Sequence, residues 1–184
     1  MVTMLTAHDV FNGPGLDDAE MLHKAERELL RMRASRFADT HDHMFNCAVT
    51  LAAVADWTFH LKLSHLPRWS GKREQHFTNW LRRNCDDAFV FIDLSNEFKH
   101  ANRNKPSTLA EKMMVDLIDL NAQPHKRSEI DPNKGWVEKF GIHELFLFPA
   151  IRFNGKTEPF YDPAERAIAW WRSFDPANAE PLSA

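Results

Sequence analysis

Residues suited to proton transfer and phosphate binding cluster near the end of an apolar helical pattern: Asp93, Asn96, Lys99 and His100. At about 100° per residue, Asp93, Asn96 and His100 fall in one helical stripe, which Arg103 continues. A histidine that titrates near neutrality beside a carboxylate and cations is equipped for proton transfer next to a phosphate. We therefore interpret His100 as a general acid or base, with Asn96 and Lys99 contacting phosphate. Asp93 and Arg103 are expected to bind on the same stripe.

A second helical pattern supplies a candidate partner for this cluster. Asp56 lies in the middle of an apolar stripe, where an unpaired carboxylate would cost on the order of several kcal/mol. We expect Asp56 to orient the cluster by contacting Lys99 or His100, with His60 one turn away as a further binding residue. In the alternative interpretation Asp56 braces the core, and Asn96 and His100 satisfy backbone groups.

Helical periodicity predicts three helices that position these residues. The first has Asp17 as its N-cap and a buried stripe of Leu22, Ala25, Leu29 and Met32. The second runs from about residue 40 to about residue 65, and its buried side is predicted to hold Phe45, Val49, Ala52, Phe59 and Leu63. The third runs from about residue 73 to 101, and acidic residues after Asn84 allow a new helix to start there. Because this last pattern is apolar on two sides, we expect a central helix whose polar stripe faces a cleft or another subunit.

Downstream of the helices the pattern changes to short strands. Residues 145–153 and 157–161 flank Asn154-Gly155, which is typical of a tight β-hairpin turn. Residues 108–120 fit either a capped helix or a strand, and we favour a strand because two strands alone are rarely stable. Pro149 interrupts the longer run and indicates an edge strand or a bulge.

The chain closes with a predicted helix that begins with Asp162 as N-cap and Pro163 at its first position. The sequence thus predicts a mainly α (α+β) fold: a helical bundle, a small antiparallel β-sheet and a C-terminal helix packed on that sheet. We expect one domain over residues 1–184. Its parts are the bundle at 16–103, the strands at 108–161 and the final helix at 162–175.

Composition narrows the classes of protein that fit. A chain of 184 residues with 43% hydrophobic content can fill one core, and a net charge of −3 argues against coating nucleic acid through overall basicity. No apolar run spans a bilayer and no signal peptide is evident, so we expect a cytoplasmic protein without a membrane partner. The two cysteines, Cys47 and Cys85, lie in apolar patterns and are expected to pack as inert thiols.

The string Asp93-Leu94-Ser95-Asn96-Glu97-Phe98-Lys99-His100 resembles the signature helix of HEPN-like proteins, helical prokaryotic domains that include RNA-cleaving toxins and antiphage effectors. Asn96 matches the polar position of the family pattern and His100 its histidine, while Ser95 stands where the family has arginine. The resemblance covers roughly residues 40–101, including the Asp56 segment. It implies a homodimer in which groups from two subunits meet to cut RNA without a metal or other cofactor. Arg103 offers a guanidinium from a different backbone position.

Metal binding is the main rival to this interpretation. Glu20-x-x-His23 and Glu97-x-x-His100 have the spacing of di-iron bundles, but the first pair is expected to face solvent. A mononuclear site could draw on His41, His43, Asp56 and His60, although their spacing matches no strong zinc pattern.

A non-catalytic module is the other alternative. Such a protein would keep the HEPN-like fold as a binding or scaffold unit, with a cognate antitoxin or another protein as partner, and Ser95 in place of arginine favours it. The basic residues Lys72, Arg73, Arg82 and Arg83 form a modest patch that suits either RNA or a solvated helix face.

Overall fold

The computed structural model describes residues 17–35, 37–99 and 109–181. Five α-helices and four β-strands form in this part of the chain. The helices are α1 (Asp18–Ala34), α2 (Thr40–Thr58), α3 (Glu74–Asn84), α4 (Asp86–Lys99) and α5 (Tyr161–Ser173), and the strands are β1 (Ala110–Asp119), β2 (Trp136–Phe140), β3 (His143–Phe153) and β4 (Lys156–Pro159). The predicted mainly α (α+β) class with a small antiparallel sheet is confirmed.

Helices α1 and α2 form an antiparallel pair. Asp17 caps α1 by accepting a 3.0 Å hydrogen bond from the Glu20 N–H, as predicted. The predicted stripe of Leu22, Ala25, Leu29 and Met32 is buried. The start of α1 lies beside the end of α2, where Asp18 pairs with Lys62 at 2.6 Å.

The buried face of α2 differs in part from the predicted one. Placing Phe45 on the buried side is wrong, because 42% of this residue is exposed. Ala52, Phe59 and Leu63 are buried as predicted, and Val49 is half-buried. The other core-facing residues of α2 are Met44, Cys47, Ala48, Leu51, Val54 and Ala55. A one-residue shift rotates a helical stripe by about 100°. The stripe that contains Asp56 therefore lies at the margin of the core, and Asp56 is half-buried.

The helix continues past Thr58 as a π-helical turn over Phe59–Leu63, in which the Ser64 N–H bonds to the Phe59 carbonyl at 2.8 Å. Phe59 then meets the central ring of an aromatic cluster, Phe77 on α3. Phe77 also contacts Trp69, Trp80, Trp171 and Phe174. This cluster joins α3 to the end of α2 and to the C-terminal helix.

The third predicted helix is two helices, separated at Cys85, whose backbone is extended. Every residue from Ala88 to Ser95 on α4 is buried. The prediction that this is a central helix is confirmed, and α4 packs against α2, α3, α5 and β1.

The sheet is antiparallel, with β3 as its central strand. β1 pairs along one side of β3, while β2 and β4 pair with opposite ends of its other side. The predicted strand near residues 108–120 is confirmed as β1. The predicted hairpin turn is also confirmed, because Asn154 and Gly155 both have positive φ, at 50° and 70°.

Pro149 lies in the central strand and pairs with Val115 in regular register, so the expectation of an edge strand or a bulge is wrong. The topology explains why proline is accepted. Pairing with β2 ends at Leu147 and pairing with β4 begins at Ala150. The Pro149 carbonyl accepts a 2.8 Å hydrogen bond from the Phe160 N–H. Because N–H and C=O of one strand residue point to the same side, the missing N–H falls in the gap between β2 and β4.

The two faces of the sheet have different surroundings. Ile151 and Phe153 join the helical core, whereas Phe146, Phe148 and Ala150 form a separate apolar cluster with Leu120 on the opposite face. Helix α5 buries Ile168 and Trp171 and packs mainly on α4 and α1 rather than on the sheet.

The predicted cap of α5 is wrong. The helix begins at Tyr161, and Asp162 in its first turn pairs with Lys134 instead of capping.

Candidate functional site

Asp93 is a buried structural carboxylate at the junction of α4 and β1. Only 1% of the residue is exposed. One carboxylate oxygen, Oδ2, accepts hydrogen bonds from the N–H groups of Leu109 at 2.8 Å and Ala110 at 3.3 Å. These donors lie at the start of β1, so Asp93 ties the first strand to the central helix. The expectation that Asp93 faces a cleft is not met, and its carboxylate already has backbone partners.

Ser95 occupies the position that corresponds to the arginine of the HEPN-like pattern, and it points into the core. It is 1% exposed, and its Oγ has no hydrogen-bond partner among the described residues. A guanidinium at this position would have to be buried among the apolar residues of α4, which requires a paired anion. The local packing therefore suits a small side chain.

Asp56 and Asn96 lie on adjoining helices, because α2 and α4 pack directly against each other. Both residues are half-buried. Their helices are thus brought together as predicted, and α2 and α4 form the frame on which any chemistry of this cluster would depend.

His60 points away from this frame. Its side chain is 64% exposed and lies 3.7 Å from the Glu74 carboxylate on α3. The remaining predicted residues, His100 and Arg103, lie outside the described residues, as does the side chain of Lys99.

The alternative metal ligands do not converge. His43 forms a 3.0 Å hydrogen bond with the buried Glu28 carboxylate. His41 is exposed, and His60 lies beside Glu74 on α3. Within residues 17–35, 37–99 and 109–181, no three side chains of the ligating types gather around one point. Glu20 and His23 are exposed, as expected from their place on α1.

The pKa of Glu28 is set by opposing effects. Its burial raises the pKa, but hydrogen bonds from His43 and Arg31 outweigh the burial, and the net result is a pKa below the ordinary value. Glu28 is therefore an ionised brace between α1 and α2.

Neither cysteine is prepared for nucleophilic chemistry. Cys47 is fully buried and burial raises the pKa of its thiol far above the usual range. Burial also raises the pKa of the half-buried Cys85 thiol. Both remain thiols at neutral pH, as expected for packing residues.

A basic segment, defined here as residues 57–85, is the strongest charge feature of the helices. It contains six Lys or Arg residues and one acid, Glu74, so its formal charge is +5 while the rest of the chain carries −8. Five of the six cations are exposed and the sixth, Lys72, is half-buried. The six are Lys62, Arg68, Lys72, Arg73, Arg82 and Arg83.

The basic segment has a rigid foundation. Trp69, Phe77 and Leu81 from the same segment are fully buried, and the Trp69 indole N–H donates to the Ala179 carbonyl at 3.1 Å. Arg82 stacks over the Phe89 ring with its guanidinium carbon 4.7 Å from the ring centre. Two of the cations are already engaged, because Lys62 pairs with Asp18 and Arg68 donates to the Pro176 carbonyl. The other four are the patch that the sequence analysis recognised: Lys72, Arg73, Arg82 and Arg83.

The sheet carries a cleft that the sequence analysis missed. The cleft has a volume of about 720 Å³ and lies on the face that turns away from the helical core. The stacked rings of Phe146 and Phe148, 5.7 Å apart, form its floor. The connection between β1 and β2 forms one wall, with Ile130 packed against the floor. Asp116 and Ile118 are two residues apart on β1 and therefore point to the same face, and this spacing was the sequence signal that could have indicated the cleft.

Gly135 fixes how closely this wall approaches the sheet. A Cβ atom at this position would lie 2.2 Å from the Leu147 carbonyl oxygen and 2.7 Å from a Phe146 ring carbon. Since the nearest atom belongs to the backbone, only glycine fits without movement of the wall.

Two acids at the cleft are held in the charged form. Backbone hydrogen bonds, chiefly from the Asn121 N–H, lower the pKa of Asp119 below its usual value. The Asn133 N–H has the same effect on the pKa of Asp131. Both carboxylates are ionised at neutral pH.

Comparison with known proteins adds no assignment: no protein-family model, curated protein or solved structure matches this chain. None of the helices in the described ranges is both long and apolar enough to cross a membrane.

Proposed function

We propose that this chain is a HEPN-like protein that binds RNA through the basic segment. The observation that carries the proposal is the segregation of charge, with +5 on residues 57–85 and −8 on the remainder. Phosphate groups are attracted to exposed Lys and Arg side chains, and an acidic remainder disfavours RNA on other surfaces. The contact of Arg82 with the Phe89 ring supports this role, because a guanidinium held in place loses less conformational entropy on binding.

Binding without cleavage is the form of the proposal that we favour. Ser95 replaces the arginine of the family pattern, and its buried surroundings suit a small residue. The carboxylate of Asp93 is already bound to the backbone of β1. Both features support a catalytically silent binding module. That the protein forms a homodimer and binds a cognate partner protein remains a prediction from the sequence.

Metal-independent RNA cleavage is the second candidate. It is favoured by Asn96, which is half-buried, precedes His100 by four residues in the sequence and lies on a helix packed against the one that carries Asp56. In this case His100 would act as acid or base, with Asn96 and Lys99 at the phosphate.

The test of RNA binding uses fluorescence anisotropy with a labelled single-stranded RNA at several salt concentrations. The Arg73→Gln/Arg83→Gln double variant should bind more weakly, and the slope of log K against log salt should fall by about 0.7 for each lost phosphate contact. The matched control is Lys112→Gln/Lys139→Gln, which removes the same charge from exposed positions on the sheet. Equal losses in both variants would reduce the effect to net charge and contradict the proposal.

The two candidates are separated by incubating the same RNA with the protein in EDTA. Intact RNA with wild type, together with salt-dependent binding, supports the silent module. Cleavage by wild type that is lost in both His100→Ala and Asn96→Ala, at unchanged thermal stability, supports the ribonuclease. Absence of both binding and cleavage would overturn both candidates.

A further inference from the structure

The cleft on the outer face of the sheet has the dimensions of a small-molecule site. Its volume of about 720 Å³ falls within the range of roughly 300–1,000 Å³ typical of ligand pockets. It is concave, because the β1–β2 connection and the start of α5 rise on either side of the sheet. A concave site of this size fits a small molecule better than it fits a flat protein partner.

The floor of the cleft is apolar. Phe146 and Phe148 stack with an interplanar angle of 19°, and Ile118 and Pro159 extend the apolar surface on either side. Only 4% of Phe146 and 7% of Phe148 is exposed, so the floor offers a limited apolar surface on which an aliphatic or aromatic body gains free energy by leaving water.

The charged groups around the floor define the polar end of the ligand. Five carboxylates and two lysines line the cleft, and one lysine, Lys134, already pairs with Asp162. Asp119 points to the opposite face with its cross-strand partner Leu145 and bonds to His143. Three carboxylates then face one remaining ammonium: Asp116, Glu129 and Asp131 against Lys126. The cleft is therefore complementary to a cation.

The carboxylate of Asp116 is the best placed of these acids to contact a ligand on the floor. Asp116 and Phe148 are directly paired across β1 and β3, so their side chains point to the same face. One Asp116 oxygen, Oδ1, accepts the Leu117 N–H at 2.9 Å. The carboxylate, whose negative charge is shared by both oxygens, lies beside the phenyl floor.

We propose that this cleft binds a small organic amine, in which an ammonium group adjoins an aromatic or aliphatic body. The body packs on Phe146 and Phe148, and the ammonium donates to Asp116 with Glu129 opposite. This site is separate from the basic segment, so it constitutes a second binding activity and does not depend on RNA binding.

The test uses phenethylamine as the probe and phenethyl alcohol and hydrocinnamate as neutral and anionic controls. Heteronuclear NMR spectra should show saturable shifts at the amides of Ile118, Phe146 and Phe148 with the amine. The amine should bind about tenfold more tightly than the alcohol, because the hydroxyl group donates to the carboxylate without the positive charge that strengthens an ammonium–carboxylate hydrogen bond. Hydrocinnamate should bind more weakly still.

Charge-matched variants decide whether the cleft is responsible. Asp116→Asn and Glu129→Gln should each weaken amine binding by about threefold to tenfold. Glu138→Gln removes the same charge from an exposed position on the other face and should leave binding unchanged. The Arg73→Gln/Arg83→Gln variant should also bind the amine normally, which separates this site from RNA binding.

Three outcomes would overturn the proposal. The first is an absence of saturable shifts with phenethylamine at millimolar concentration. The second is equal affinity for phenethylamine and phenethyl alcohol. The third is equal weakening by Asp116→Asn and Glu138→Gln, which would indicate attraction to the general acidity of the protein.

Discussion

Replacing Asp93 by alanine tests whether this residue is a structural tie or a ligand-binding group. The substitution removes the acceptor of two backbone N–H groups, those of Leu109 and Ala110. An unsatisfied buried donor costs about 1–3 kcal/mol. Ala110 is 4% exposed and suffers this cost fully, whereas the half-buried Leu109 regains part of it from water. We expect Asp93→Ala to lower the free energy of unfolding by about 2–4 kcal/mol.

The assay is urea denaturation monitored by tryptophan fluorescence, with the midpoint and the slope fitted together. Asp93→Asn is the matched variant, because its side-chain oxygen still accepts hydrogen bonds while the charge is removed. We expect this variant to retain more than half of the stability that Asp93→Ala loses. RNA binding by Asp93→Asn should equal that of wild type.

Two results would refute the reasoning. If Asp93→Ala changes stability by less than about 0.5 kcal/mol, the size typical of a surface substitution, the carboxylate does not hold β1. If Asp93→Asn is as stable as wild type but loses RNA binding, the original prediction of a binding role is correct.

Three further perturbations test other parts of the structure. Glu28→Gln should make the stability of the protein less sensitive to acid. The pKa of Glu28 is lowered in the folded protein, so its carboxylate stabilises the fold above the ordinary pKa of 4.5, and this stabilisation is lost as the pH falls from there through the lowered pKa. Thermal melts across acidic pH would measure the difference. Gly135→Ala should cost about 1–3 kcal/mol and shift the NMR signals of the cleft wall, because its Cβ would meet the Leu147 carbonyl; unchanged signals would contradict the close approach. Phe77→Ala should cost about 3–5 kcal/mol in urea denaturation, since this fully buried ring joins α2, α3 and α5, and a loss below about 1 kcal/mol would argue against that cluster as a core.

Local signals in the sequence were sufficient for several caps, turns and breaks, although the equally local signal at Asp162 did not give the cap of α5. The cap at Asp17 depends on a hydrogen bond three residues along the chain, and the turn at Asn154-Gly155 depends on two positive φ angles. The break at Cys85 is equally local. Each of these features was therefore predictable before the fold was known.

Helical periodicity could not predict which residues of α4 face a cleft, because α4 is buried on every side. When all residues from 88 to 95 are buried, periodicity no longer tells which side faces a cleft. Asp93 was predicted to face a cleft, but its carboxylate accepts hydrogen bonds from the N–H groups of Leu109 and Ala110. This contact depends on where the chain enters β1, which helical periodicity does not predict. On α2, the one-residue offset between the Phe45 and Met44 stripes determined whether Asp56 lay inside or at the margin.

The cleft was unpredictable for a related reason, since its parts come from segments that only strand pairing brings together. Asp116 and Phe148 are neighbours through the register of β1 and β3, and Glu129 reaches them through an irregular connection. The two groups of charges lie on different elements: the exposed cations belong to the segment between α2 and α4, whereas the acids of the cleft belong to the sheet and its connections. An anion and a cation would therefore be attracted to different surfaces of this protein. Added salt should weaken binding at both proposed sites, while RNA and phenethylamine should not compete with each other.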